Sequence, residues 1–312
     1  MAKATKSELC LSMINEGLIQ EITGETHRNN KLRVSMLRLD KLHPVVSGNK
    51  LFKLKYHLQE AVQQGKKSIV TLGGPYSNHL VATAYASKHA ELNAIGIVRG
   101  NQPPEFSQTL KECVQYGMRL IFCERDEFDS INATTINEQF PEAYFIAQGG
   151  YGLIGAKGAA EILSFQKARE FDFIIAACGT GTMGAGLINA SSADQKIILI
   201  SVLKNNFSIK TEIENMIDAS SKNKNNFLIN FDFHFGGYAK KNKSLFKSMN
   251  EFYTENNIET DFVYTGKMAY AVNEMIKEDF FPRGSNILMI HSGGLQGNRS
   301  LQDGELVYVS NK

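Results

Sequence analysis

Short apolar runs punctuate the chain: SIVTL at 68–72, AIGIV at 94–98, RLIFC at 119–123, AYFIA at 143–147, FDFIIAA at 171–177, KIILISVL at 196–203 and NILMIH at 286–291. Each is close to continuous in apolar character instead of alternating with polar residues, which is the pattern of a strand buried on both faces. Between them lie segments whose apolar residues recur at helical spacing, at 51–64, 77–92, 153–167 and 268–278. Strand and helix alternate through nearly the whole length, which predicts an α/β fold whose mainly parallel, twisted sheets are covered by helices. The rhythm changes at a glycine-rich turn, QGGYGLIGAKG at 148–158. We therefore expect two lobes, a smaller one of residues 51–160 and a larger one built from 1–50 and 161–312.

Composition narrows the function classes. With 312 residues, 43% hydrophobic and 21% charged, the chain has ample material for a buried core. Lys plus Arg number 34 against 32 Asp plus Glu, and a net charge of +2 gives no reason to invoke nucleic acid or another polyanion. The Lys/Asn-rich stretches at 221–226 and 240–247 read as solvated surface. Cys10, Cys113, Cys123 and Cys178 show no paired spacing, which predicts reduced, mostly buried thiols and neither a disulfide framework nor a zinc site. The first residues interrupt their apolar positions with Lys, Ser, Glu and Asn, and no apolar run approaches the roughly 18–20 residues of a membrane span. A cytoplasmic protein is the expectation.

Parallel α/β sheets place ligands at the carboxyl ends of strands, in the loops that open the next helix. Four such loops carry candidate chemistry. Cys178-Gly-Thr-Gly-Thr-Met-Gly184 follows the run at 171–177 and offers backbone amides, the hydroxyls of Thr180 and Thr182, and a helix N-terminus to an anion. It also reads as G-x-G-x-x-G at Gly179, Gly181 and Gly184, so a dinucleotide and a nicotinamide oxidoreductase must be weighed. That reading needs an acidic residue at the end of the next strand, where Ser201-Val-Leu-Lys204 stands, and a bare phosphate fits better. Ser47-Gly-Asn-Lys50 opens a helical run. A lysine desolvated there beside Lys53 becomes an amine nucleophile, although a surface lysine at a helix start is the simpler description of the position alone. Gly73-Gly-Pro-Tyr-Ser-Asn-His79 could cap a helix through Ser77 or Asn78 or receive a substrate carboxylate, and His79 by itself reads as a hydrogen-bonded structural histidine. His291-Ser-Gly-Gly-Leu295 is either a tight turn after a strand or a close backbone approach that presents the Ser292 hydroxyl to a ligand.

Taken together, SGNK-x-x-K-L-K-Y, GGxYSNH, CGTGT, YTGKM and HSGGLQG, in that order between about Leu39 and Gly297, resemble the D-cysteine desulfhydrases and 1-aminocyclopropane-1-carboxylate (ACC) deaminases. These are pyridoxal 5′-phosphate enzymes of the tryptophan synthase β-like fold, fold type II. The resemblance implies that Lys50 holds the cofactor covalently through its amine. Gly179, Thr180, Gly181 and Thr182 would bind its phosphate, with Asn78 near the ring hydroxyl, Ser292 facing the pyridine nitrogen, and Tyr238 and Tyr264 as active-site tyrosines. Ser77 would lie by the substrate or share in proton transfer, and Asn78, His79, Tyr264 and Thr265 would complete the substrate side. A small amino acid as partner and a homodimer are further expectations of the resemblance.

Two positions bear on the branch. ACC deaminases carry Glu after the second tyrosine and Leu after the histidine of the last motif, where this chain has Thr265 and Ser292, as desulfhydrase-like members do. A carboxylate near the pyridine nitrogen deepens the electron sink, a hydroxyl does so less, and a thiolate leaves more easily than a cyclopropane opens. The expected reaction is therefore β-elimination, D-cysteine giving pyruvate, ammonia and sulfide, with ACC deamination as the rival. Tyr151 stands where the family commonly has Ser, and Tyr76 precedes Ser77, so either tyrosine could alter the pocket or simply pack in the core.

Overall fold

The computed structural model describes residues 16–24, 31–221 and 223–309. Cys10, Lys222 and the first part of the expected larger lobe lie outside the described residues.

Among the described residues, ten strands form two sheets. They are β1 (Ile19–Glu21), β2 (Arg33–Arg38), β3 (Ser68–Gly73), β4 (Asn93–Arg99), β5 (Met118–Cys123), β6 (Ala143–Ile146), β7 (Phe173–Cys178), β8 (Lys196–Ser201), β9 (Phe227–Asn230) and β10 (Asn286–His291). The larger sheet has the order β1-β2-β10-β7-β8-β9 and the smaller one β5-β4-β3-β6. Every pairing is parallel except the antiparallel edge strand β1 on β2. This is the α/β architecture that the continuous apolar runs predict.

The reason those runs do not alternate is visible in the core. Leu37, Ile174, Leu199 and Leu288 point into one apolar layer, while their neighbours Met36, Ile175, Ile198 and Met289 point into another on the opposite face. A strand covered on both faces has no polar side to display. β2 escapes the sequence pattern because polar Ser35 and Arg38 interrupt RVSMLR, yet both are buried. Arg38 is accommodated by a two-pronged contact with Asp40, Nε to Oδ1 at 2.9 Å and Nη2 to Oδ2 at 2.6 Å. β9 is a half-buried edge strand of only four residues, too short to register as a run.

Helices Asn49–Gln63, Asn78–His89 and Thr265–Lys277 match expected helical segments. The segment expected as a helix over 153–167 is shorter: Leu153–Ala160 is α-helical, and a 3-10 turn at Glu161–Leu163 continues to bury Ile162 and Leu163, which prolongs the apolar spacing without prolonging the helix. Asn223, in a stretch that reads as solvated surface, is buried, and its Nδ2 donates to Ser191 Oγ at 2.8 Å and Gln195 O at 2.7 Å. Cys113, Cys123 and Cys178 are buried free thiols. Among the described residues no helix is long and apolar enough to cross a membrane.

Candidate active site

The carboxyl ends of β3, β7 and β10 open into one cavity. Lys50, Lys53, Asn78, Gly149, the 178–181 loop, Tyr264 and the 292–294 loop all line it. Motifs separated by more than two hundred residues thus face one another.

Backbone contacts weld them together. Gly48 adopts φ 65°, ψ −140° at the start of the helix Asn49–Gln63, and the next amide, Asn49 N, donates to Ser292 O at 3.0 Å. A Cβ on Gly48 would stand 1.8 Å from that same oxygen, so only glycine lets the Lys50 turn approach the Ser292 loop. Asn78 Nδ2 in turn donates to Gly294 O at 2.8 Å. The helix Asn78–His89 is capped by Ser77, whose Oγ accepts from His79 N at 3.2 Å and Leu80 N at 3.3 Å.

The 178–181 loop is a cradle. Gly181 sits in left-handed backbone at φ 77° immediately before the helix Thr182–Ala190, whose free amides and dipole suit an anion. A Cβ on Gly179 would fall 3.1 Å from Tyr264 Cε1, so the glycine keeps the loop open beneath the tyrosine ring. Thr180 Oγ1 lies 3.2 Å from Thr182 Oγ1, and Lys53 Nζ donates to Gly149 O at 3.3 Å on the opposite wall.

Electrostatics separate the two lysines. Burial lowers the Lys50 amine to about 8, with Asp261 working against that shift. Burial and then the neighbouring Lys50 hold Lys53 well below the usual lysine range. Two amines this close repel, and an anion in the cradle relieves both. Burial also pushes the Tyr264 phenol well above its usual range, so it stays a proton donor. Asp261 is buried and accepts from Val263 N, Tyr264 N, Thr265 N and Thr265 Oγ1, at 2.7 to 3.0 Å, fixing the turn that presents Tyr264.

The structure brings Lys50, Asn78, Gly179, Thr180, Gly181, Tyr264 and Ser292 to the cavity wall. Thr182 is buried at the first turn of its helix, and Tyr238 is exposed, its ring 6.1 Å from that of Tyr264, which lines the cavity. Three expected substrate residues do not line the cavity: Ser77 caps its helix, and His79 and Thr265 turn elsewhere. His79 is buried, and since Thr71 Oγ1 donates to Ile146 O, it accepts the His79 Nε2 proton at 2.8 Å. Burial, then Lys50 and Lys53, hold that ring neutral, well below the usual histidine range. Thr265 is buried and committed to Asp261 through its hydroxyl. Tyr151 points its hydroxyl at Glu212, away from the cavity lining.

Lys53, Gly149 and Asp261 were not singled out as site residues by the sequence. Lys53 was legible, since SGNK-x-x-K places it one turn beyond Lys50 on the same helix face. Asp261 was not legible in this way, since it stands three residues before the N-cap Tyr264 and its bonds appear only in the folded turn.

A pyridoxal phosphate fits these residues. Asn78 Oδ1 is buried without a hydrogen-bond partner among the described residues, the cradle is kept open by glycine, and two amines stand over it. β8 ends at Ser201 with no acid for a ribose, so the G-x-G-x-x-G reading lacks its partner here as well.

Residues 26–293 match the family described as "Pyridoxal-phosphate dependent enzyme". A "Putative 1-aminocyclopropane-1-carboxylate deaminase" of Pyrococcus horikoshii is 27% identical over 272 residues, covering 81% of this chain and 81% of the relative. The "Bifunctional D-cysteine desulfhydrase/1-aminocyclopropane-1-carboxylate deaminase, mitochondrial" of Arabidopsis thaliana is 29% identical over 279 residues, covering 81% and 70%. Among solved structures, an "ACC deaminase homologue" superposes with a TM-score of 0.77 at 25% identity, covering 95% of this chain and 97% of that one. A hydrogen sulfide-producing enzyme from Fusobacterium nucleatum shares the fold, with a TM-score of 0.67 at 14% identity and coverage of 96% and 99%. A match over most of the length, on a fold and a cavity of this kind, places the chain in the family of pyridoxal-phosphate dependent enzymes.

Proposed function

We propose that this enzyme carries out β-elimination on a small amino acid, with D-cysteine as the substrate that suits it best and ACC as the alternative. The observation that carries the reading is the Lys50 amine, held near neutrality and opening into the same cavity as the glycine–threonine cradle. When bound, pyridoxal phosphate supplies an electron sink for negative charge at the substrate α-carbon.

The chain supplies the rest. Lys53 and the amides and hydroxyls of Gly179, Thr180, Gly181 and Thr182 would hold the phosphate, Asn78 the ring hydroxyl, and Ser292 the pyridine nitrogen. Lys50 would hold the cofactor, and its Nζ would take the α-proton. Tyr264 Oη, which keeps its proton, would donate toward the departing group, with Ser77 assisting and Tyr238 closing the mouth. Among the described residues no carboxylate lines the cavity. A sink without a carboxylate on the ring favours loss of a thiolate over opening of a cyclopropane, which is why D-cysteine is placed first. The name of the Arabidopsis relative, which joins both activities, supports the pair. We place the smaller lobe at 51–160, since its sheet spans residues 68–146, and the larger at 1–50 and 161–312; a cytoplasmic homodimer completes the reading.

Purified protein incubated separately with D-cysteine, β-chloro-D-alanine, D-serine and ACC should yield pyruvate and ammonia from the first, with sulfide. Formation of 2-oxobutyrate from ACC, with no product from the other three, would reverse the order. A second expectation concerns pH. Only the neutral amine attacks the cofactor aldehyde, so capture of pyridoxal phosphate by cofactor-free protein should accelerate about tenfold per pH unit below about 8 and level off above it. A rate still climbing towards about pH 10 would return Lys50 to the ordinary lysine range.

A further inference from the structure

Lys267 is fully buried, although an ammonium is among the costliest groups to take from water. It stands in the first turn of the helix Thr265–Lys277, three residues after Tyr264. Its Nζ donates to His234 O at 2.9 Å and Gly237 O at 2.7 Å. Those oxygens close the two successive turns that carry Tyr238, for His234 O also accepts from Gly237 N at 3.0 Å and Gly237 O from Lys240 N at 3.1 Å. The turns run through left-handed backbone at Phe235 (φ 53°), Gly236 (94°), Gly237 (118°) and Ala239 (53°). Phe235 and Ala239 carry side chains, so the loop is strained and keeps this shape only where its surroundings impose it. One turn further along the helix, Tyr270 meets the Phe235 ring at 4.9 Å and 86°. The same helix therefore presents Tyr264 at its start and grips the loop of Tyr238, and the two tyrosine rings cross at 71°.

We propose that Lys267 is a positioning residue whose buried amine clamps the 234–240 turns, so that Tyr238 faces Tyr264 at the mouth of the cavity and helps retain the substrate. Burial lowers its amine to about 8 and Asp261 works against that shift; protonated or neutral, the amine keeps two N–H donors for the two carbonyls. The consequence for substrate rests on the function proposed above; the clamp itself does not.

The test uses cofactor-loaded protein with Lys267→Met, which keeps the chain length and removes the donors. Amide exchange at Gly237 and Lys240 should quicken about tenfold or more while the strands are unchanged. Cofactor content should stay that of the wild type. KM for D-cysteine should rise about five- to tenfold with little change in kcat, and in a Tyr238→Ala background Lys267→Met should add nothing to KM. Unchanged exchange, or a full additional KM effect without Tyr238, overturns the proposal. If Lys267→Met does not fold, Lys267→Gln, which retains one donor, is read by the same exchange and cycle measurements, with smaller but same-signed effects expected. Should no amino acid be turned over at all, the exchange comparison still decides the clamp, and only the functional reading fails.

Discussion

Lys50→Ala should leave a folded protein that no longer holds pyridoxal phosphate covalently, has no visible absorbance band and shows no measurable turnover. Loss of a positioned base alone costs about 10²–10⁴-fold in rate, and here the same amine also anchors the cofactor. The helix that carries it does not depend on the amine for stability. Among the described residues Lys50 Nζ makes one hydrogen bond, 3.2 Å to the neighbouring Asn49 Oδ1, and desolvation already disfavours its charge. Thermal unfolding of the cofactor-free variant should therefore match that of cofactor-free wild type or exceed it. A yellow, active Lys50→Ala protein would remove the foundation of the proposed mechanism.

The second large effect is steric. Gly48→Ala would place a Cβ 1.8 Å from Ser292 O and 2.5 Å from Gly293 N, in backbone at φ 65°. The neighbouring atoms are main chain and cannot swing aside. Backbone strain and overpacking of this kind together cost about 2–6 kcal/mol, and the two loops that must separate are those bearing Lys50 and Ser292. Gly65→Ala is the matched control, since it shares φ 65° but meets nothing within 4 Å, and should cost only about 1–2 kcal/mol. Calorimetry on cofactor-free proteins measures both, free of the stabilisation that bound cofactor adds. Gly48→Ala should lose most of its cofactor uptake as well. Equal melting temperatures for the two variants would mean that the Gly48–Ser292 contact does not hold the site together.

How much of this was legible in the sequence follows the physics of each element. Strands covered on both faces announced themselves because Ile174 and Ile175, or Ile287 and Leu288, are adjacent and both buried. β2 stayed hidden because its polar residues are satisfied by partners, such as Asp40 for Arg38, that no local pattern reveals. Gly179 and Ser292 could be named because each sits in a loop after a strand, and Asn78 because it opens the helix after one, whereas Lys50, the second residue of its helix, was named through the resemblance. His79 and Thr265 were expected beside the substrate on motif position, yet both side chains serve the loops from behind, His79 on Thr71 and Thr265 on Asp261. Motif membership fixes where a backbone goes, not which way its side chain points. Lys267 shows the same limit in reverse: it was part of YTGK, but its task became visible only when its carbonyl partners, some thirty residues earlier, came into view.

The central claim is that one amine, and not its neighbour, carries the cofactor. Borohydride reduction of the loaded protein, followed by proteolysis and mass spectrometry, asks this directly, because Lys50 and Lys53 line the same cavity three residues apart. The account predicts a phosphopyridoxyl group on Lys50 alone, lost in Lys50→Ala. A label on Lys53, or one spread over surface lysines, would contradict it.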